Sequence, residues 1–373
     1  MDEMTFRADA KNRVANLPVN PPVLPMLAKL VGALPEGEGW IFEPKWDGFR
    51  AIIFRVGDEM FIQSRDEKPL DRYFPELVDA LKSRIPERCV LDGEIVIANG
   101  PSLDFDALQL RLHPAESRVR KLAAEIPASI VFFDVLSDGK TDLCEMPFAM
   151  RRSMLESMLA GASPPIHITP ATTDRSLAAD WFKRFEGAGL DGVMAKREDG
   201  RYEPNKRVML KVKHERDCDC VVAGFRWHKN SEQSAIGSLL LGLYDEGGTL
   251  HHVGVCASFT AAKRRELVSF LEPYRKNALE NHPWRDWAEA DAGEGTPHRR
   301  PGAMSRWSQG KDLSWEPIRA ELVVEVAYDH MQSGRFRHTA QFRRWRTDKP
   351  PRDCTFAQLE VVPPHELGSI FGR

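Results

Sequence analysis

Glu43-Pro44-Lys45-Trp46-Asp47-Gly48-Phe49-Arg50 follows the apolar run Trp40-Ile41-Phe42 and leads into a strand-like stretch from Phe49 to Val56. A Gly57-Asp58 turn and a second run from Met60 to Gln63 complete a hairpin signal. Lys45 therefore sits at the end of one strand, with a tight Asp-Gly turn expected before the next. Most lysines are solvated surface charges, but this one is placed. Freeing its lone pair at pH 7 from an ordinary pKa costs roughly 4.6 kcal/mol. A nucleophilic lysine must have that cost lowered by desolvation or by neighbouring cations.

Outward from this segment, strands are predicted at Val90 to Ala98, Ser129 to Leu136, Leu190 to Lys196 and Val208 to Val212. Helical periodicity falls at Tyr73 to Ile85, Met150 to Leu159 and Leu177 to Ala188. The two types mix without strict βαβ alternation, which predicts an α+β domain with antiparallel sheets over residues 22–215. Residues 1–21, ending in Pro18 and Pro21-Pro22, read as a mobile leader. From about residue 216 short strands alternate with Gly-containing turns (Cys220 to Phe225, Ser238 to Tyr244, Leu250 to Cys256, Glu321 to Tyr328). That pattern predicts an all-β small barrel through residue 373. The stretch 280–316 carries Trp284, Trp287, Trp307 and Trp315, for which local packing is favoured over contact with a ligand.

The 373 residues suffice for two domains, and the 42% hydrophobic and 29% charged content is that of a globular chain. No secretory signal or spanning segment is legible, so a cytosolic protein is expected. The six cysteines form no CxxC pair, which removes the usual zinc spacing. Cys218 and Cys220 are expected to share one buried face as small hydrophobes. Net charge is −3, yet Arg335 to Arg352 holds seven Lys or Arg against Asp348 alone. A local basic face can bind polyanions whatever the average.

Four further fragments follow Lys45. These are Ser64-Arg65, Leu91-Asp92-Gly93-Glu94, Phe132-Phe133-Asp134 and the run Leu190-Asp191-Gly192-Val193-Met194-Ala195-Lys196 continued by Leu210-Lys211-Val212-Lys213. Lys211 and Lys213 alternate, so both project from one strand face, where they could hold an α-phosphate and depress the pKa of Lys45. Glu94 and Asp191 lie in apolar strands, where an unpaired carboxylate is expensive and a divalent metal would justify both. No GxxxxGK[ST] is present, so a triphosphate would not use a Walker loop.

In this order, and with Arg346-Thr347-Asp348-Lys349 near the end, the fragments resemble the covalent nucleotidyltransferase superfamily. The likeness is greatest to the ATP-dependent DNA ligases of the bacterial stand-alone repair type, over roughly residues 22 to 360. The resemblance implies an adenylation domain followed by an OB-fold barrel, and nick sealing in DNA repair by three steps through lysyl-AMP. By resemblance, Lys45 forms the phosphoramidate, Glu43 accepts from the adenine amine, and Phe133 stacks on the base. Arg50, Arg65 and Glu94 would contact the ribose or the nick phosphate, while Lys211 and Lys213 would grip the α-phosphate. Glu94 and Asp191 would hold Mg2+ or Mn2+. Arg346, Asp348 and Lys349 would act as a catalytic element on the departing pyrophosphate. Many relatives carry Glu at the position of Asp191, so the ligand is one methylene shorter here.

The implied substrates are ATP and nicked double-stranded DNA. A monomer in the bacterial cytosol or nucleoid is implied, with room for a separate repair polymerase or end-binding protein as partner. An mRNA-capping guanylyltransferase and an RNA ligase are the alternatives. Against the first stands Glu43, because a carboxylate repels the acceptor O6 of guanine.

Overall fold

The computed structural model describes residue 12 and residues 14–100, 102–229, 231, 233–289, 314–329, 331–332 and 334–359. It divides into two units, with the boundary between Lys213 and His214.

In the first unit β1 (Leu27–Val31), β2 (Trp40–Pro44), β3 (Phe49–Val56) and β4 (Glu59–Ser64) come first. Helix α1 (Pro75–Arg84) and β5 (Arg88–Val96) follow, then α2 (Phe105–Leu110), α3 (Glu116–Glu125) and β6 (Ser129–Ser137). Helix α4 (Phe148–Met158), β7 (Ile166–Ile168), α5 (Arg175–Arg184), β8 (Val193–Arg197) and β9 (Arg207–Val212) complete the unit. One sheet runs β1-β9-β8-β2 and the other β4-β3-β5-β6-β7.

The sheets are not purely antiparallel: β1 pairs with β9, and β6 with β7, in parallel. The second case has a local reason. α4 lies between β6 and β7 in the chain, and a helical crossover returns a strand in the same direction. The α1 helix starts with Pro75 in its first turn and buries Leu77 and Leu81, one helical turn apart. It helps close a core with Ile53, Leu91 and Phe132, each fully buried and worth roughly 1.5–3 kcal/mol in removed apolar surface.

Residues 14–21, predicted to belong to a mobile leader, are instead packed. Val14, Leu17 and Val19 join Ile52, Phe54, Phe61 and Met209 in one buried cluster. Apolar residues among prolines hid this, because they follow neither strand nor helix period. Apart from Asn12, the rest of the predicted leader lies outside the described residues.

The second unit is built on β10 (Arg216–Trp227), β11 (Ile236–Tyr244), β12 (Leu250–Cys256), β13 (Glu316–Tyr328) and β14 (Gln341–Trp345), in the antiparallel order β12-β11-β10-β13-β14. It is not all-β: α6 (Ala261–Arg275) is capped by Thr260, whose hydroxyl accepts from Lys263 N at 3.2 Å. It packs on the sheet through Leu267 and Leu271. Only two buried positions in fifteen residues, among many charges, gave too thin an apolar stripe to be read. Trp284 is buried, donates to Leu250 O at 2.7 Å and lies against Trp287 and Trp315, so these three pack locally. Trp307 lies outside the described residues. Cys218 and Cys220 are buried with their sulfurs 3.5 Å apart, on one face as their alternation predicts.

Candidate active site

Strand register assembles the first half of the site. Glu43 on β2 faces Met194 on β8, Met194 faces Lys211 on β9, and Lys211 faces Leu30 on β1. Side chains two apart share a face, so Lys45 extends the Glu43 row and Lys213 the Lys211 row. Lys45 is fixed at the strand end by two backbone bonds, Lys45 N to Gly192 O (2.9 Å) and Asp191 N to Lys45 O (3.0 Å). Gly192 has φ +127°, and a Cβ there would lie 2.0 Å from the Val212 carbonyl oxygen. Only glycine fits.

The predicted tight turn at Asp47-Gly48 is not one. Residues 45–47 run on outside any helix or strand, and Gly48 forms a bend into β3. A Cβ on Gly48 would sit 2.1 Å from Ile95 O, so the glycine permits close approach to β5. Trp46 is buried beside Lys45 and donates to Thr169 Oγ1 at 2.8 Å.

Asp191 Oδ2 lies 2.8 Å from Lys45 Nζ and 2.6 Å from Lys213 Nζ. Burial works against its charge, but the two lysines override this and hold its pKa below the usual value. Burial lowers the Lys211 pKa, and the charges of Lys213, Lys45 and Arg65 push the same way. Among the described residues the side chains of Lys211 and Arg65 make no hydrogen bond or ion pair. The cradle therefore carries more positive than negative charge and suits a phosphate.

The second sheet supplies the rest. Arg50 and Glu94 face each other across β3 and β5. Glu94 accepts from Gly48 N at 3.2 Å. Burial pushes its pKa up to about 7, against the opposing pull of Arg50 and Lys45. Asp92 pairs with Asp134 and Gly93 with Phe132, so Phe133 is the extra residue of a β-bulge in β6. A Cβ on Gly93 would meet Val131 O at 2.7 Å, which explains the glycine opposite the bulge. The bulge frees Phe133 from the alternation, leaving Phe132 in the core.

Arg50 has a holder that no spacing in the sequence marks. Arg50 Nε and Nη2 donate to Asp92 at 2.5 and 2.6 Å, and Tyr202 donates its hydroxyl to the same carboxylate at 2.7 Å. The Phe133 ring is not bare: Arg50 lies 4.5 Å from its centroid and Lys196 Nζ 4.8 Å. Glu43 is only 2% exposed and ion-paired through both oxygens, to Arg152 (3.2 Å) and Lys196 (2.7 Å). The only signal for Arg152 was two arginines on the apolar side of α4, between Phe148 and Leu155.

Arg346, Asp348 and Lys349 belong to the second unit, where they form their own network. Arg346 pairs with Asp348 through Nε and Nη2 and reaches Asp219 at 3.0 Å and Glu325 at 3.4 Å. Lys349 Nζ lies 2.9 Å from Asp219. Neither Asp219 nor Glu325 was singled out from the sequence, since a strand acid with no spacing pattern has no signature.

Residues 25–213 match the family model described as ATP dependent DNA ligase domain, and residues 232–349 match the ATP dependent DNA ligase C terminal region. The chain is 55% identical over 350 residues to DNA ligase C2 of Mycolicibacterium smegmatis, covering 94% of this chain and 97% of that protein. It is 56% identical over 348 residues to DNA ligase C of Mycobacterium tuberculosis, covering 92% and 95% respectively. A solved Lig E DNA ligase has the same fold, with a TM-score of 0.53 at 15% identity over 87% of this chain and all of that one. The capping-enzyme and RNA-ligase alternatives give way to these matches. Over more than nine-tenths of its length, this chain belongs to the ATP-dependent DNA ligases.

Proposed function

We propose that this ligase seals nicks in double-stranded DNA during repair, with Lys45 as the residue that carries AMP. One observation supports this above the others: the Lys45 amine lies in a cationic cradle beside Asp191, Lys213 and Lys211. The lysine nitrogen bonds to the α-phosphorus of ATP, the bond to pyrophosphate breaks, and the amine loses a proton. AMP then passes to the 5′-phosphate of the nick. The 3′-hydroxyl attacks that phosphate, and AMP leaves.

Each side chain has a place in that sequence. Lys211 and Lys213 hold the α-phosphate and draw off charge as it develops. Glu43 accepts from the adenine amine, and Phe133 offers the base a stacking face that it shares with Arg50. Arg50, Arg65 and Glu94 contact the ribose or the nick phosphate. The donors of Arg50 not engaged by Asp92 remain for this. Arg346 and Lys349 neutralise the departing pyrophosphate, with Asp348 orienting Arg346.

Glu94 and Asp191 fit a Mg2+ or Mn2+ ion as part of its shell. Among the described residues no three metal-ligating side chains cluster, but Mg2+ keeps waters and phosphate oxygens and needs only one or two carboxylates. One oxygen of each carboxylate has no partner among the described residues, and the high pKa of Glu94 marks a buried site that a cation would suit. Bound there, the metal would stabilise charge on the phosphates.

We read residues 22–215 as the adenylation domain and 216–373 as an OB-fold domain. An isolated bridge from Cys256 at the end of β12 to Ala340 just before β14 links the two edges of the five-stranded sheet, which supports a barrel. No helix among the described residues is long and apolar enough to cross a membrane. We place the protein in the bacterial cytosol as a monomer, with a repair polymerase or end-binding protein as a separate partner.

The deciding experiment uses α-labelled ATP and a nicked duplex. A denaturation-resistant adduct and a sealed strand are expected, both lost in Lys45→Ala. An adduct that survives this substitution refutes the assignment.

A further inference from the structure

Glu43 is buried, yet neither of its oxygens is left to itself. Oε1 accepts from Arg152 Nη1 at 3.2 Å, and Oε2 lies 2.7 Å from Lys196 Nζ. Both cations are themselves fixed. Arg152 donates Nε to Glu156 at 2.7 Å and Nη2 to the Thr169 carbonyl at 2.6 Å. Thr169 in turn receives Trp46, the neighbour of Lys45. Lys196 sits two residues beyond the direct strand partner of Glu43, the diagonal position from which a long side chain reaches across. Its amine also donates to the Phe133 carbonyl at 3.3 Å and lies over the rings of Phe133 and Phe148. The two proposed base-reading side chains are thus tied to each other through Lys196.

We infer that Arg152 and Lys196 are positioning residues for base choice: by dividing the oxygens of Glu43 between them, they fix its orientation. This rests on the reading of Glu43 as the group that meets the adenine amine. An ionised carboxylate only accepts hydrogen bonds, two per oxygen. One lone pair of each oxygen is used by a cation, and the remaining pair faces a fixed direction. A purine amine finds a partner there, whereas a carbonyl at the same position meets only another acceptor. Without these two partners the buried carboxylate would be free to turn, and its remaining acceptor pairs would no longer face one direction. Stability alone is a poor explanation for such a cluster, since buried ion pairs contribute little net stabilisation compared with apolar packing.

The test is the ratio of adduct formation rates with α-labelled ATP and α-labelled GTP, measured on the full chain. A ratio is insensitive to the folded fraction, because misfolding lowers both rates alike. In Arg152→Gln and in Lys196→Met the ATP preference should fall by roughly tenfold or more, the scale of one charged hydrogen bond. Arg152→Lys should keep part of the preference. Glu43→Ala should lower it too, and adding Arg152→Gln to Glu43→Ala should change it no further. If Glu43→Ala lowers the ratio while Arg152→Gln and Lys196→Met leave it intact, the positioning role is refuted and the reading of Glu43 stands. If Glu43→Ala itself leaves the ratio unchanged, that reading fails and this inference with it.

Discussion

Lys45 and Asp191, 146 residues apart in the chain, meet at 2.8 Å, and the same carboxylate oxygen also holds Lys213. In the proposed scheme Asp191 thus has a second task beside any metal, to orient the Lys45 amine. Asp191→Ala leaves Lys45, Lys211 and Lys213 facing one another. Adduct formation should fall at least tenfold, and the protein should lose about 3 kcal/mol, the scale of breaking a buried pair. Asp191→Glu restores the carboxylate and should recover most of both. Urea titration together with an adduct assay checks this, and wild-type stability in Asp191→Ala would rule out the orienting role.

Gly48 and Gly192 are required by sterics. A methyl group at either would press on a backbone carbonyl, at 2.1 Å and 2.0 Å respectively. Neither Ile95 nor Val212 can retreat without breaking a strand ladder. Each Gly→Ala variant should lose roughly 2–4 kcal/mol and show little adduct. Gly161→Ala, in an exposed turn with open space around it and no left-handed φ, should keep normal adduct formation. Equal behaviour of the three variants would contradict the close-approach reading.

Asp92 holds Arg50 through both oxygens, with the Tyr202 hydroxyl as its third donor. Tyr202→Phe removes its hydrogen bond to Asp92 and the one it accepts from Met26 N at 3.2 Å, and should cost at least roughly 1.5–3 kcal/mol, while ATP adduct formation changes less than threefold. Asp92→Asn loses the charge under Arg50 and should reduce nick sealing at least tenfold. Should Asp92→Asn seal at the wild-type rate, Arg50 is positioned by something else.

The Arg346 and Lys349 cations act on pyrophosphate in the proposed scheme, so their loss should separate the steps. Arg346→Ala and Lys349→Ala should form adduct from ATP at a small fraction of the normal rate. A nick supplied with AMP already on its 5′-phosphate contains no pyrophosphate and should be sealed far better. An equal deficit on both substrates would move these residues from pyrophosphate to DNA.

His252 gives a pH signature in the second unit. Burial, reinforced by the Arg335 and Arg226 charges, holds its imidazole well below the ordinary value of 6.5. The unfolded chain therefore binds a proton that the folded one refuses. The stabilisation is complete above pH 6.5 and is lost as pH falls below it. His252→Gln should lose stability less steeply than the wild type from pH 6.5 to 5. Thermal melts across that range decide it, and parallel slopes would exclude His252 as a source.

The order of Lys45, Glu94, Phe133, Asp191, Lys211 and Lys213 carried the resemblance to the ligase family, and strand alternation put Lys211 and Lys213 on one face. The hairpin at Gly57 and the main strands of both units followed from the same periodicity. Period-based reading fails where a contact joins distant strands or breaks the alternation. Nothing local marks the bulge that frees Phe133, the approach of Ile95 O to Gly48, or the packing of Val14 and Leu17. The partners that hold the reactive groups were equally hidden: Asp92 under Arg50, Arg152 and Lys196 on Glu43, and Asp219 between Arg346 and Lys349. A buried charge must find its counter-charge wherever the fold brings one within about 3 Å. The sequence shows which charges are present, and the tertiary structure alone decides which of them meet.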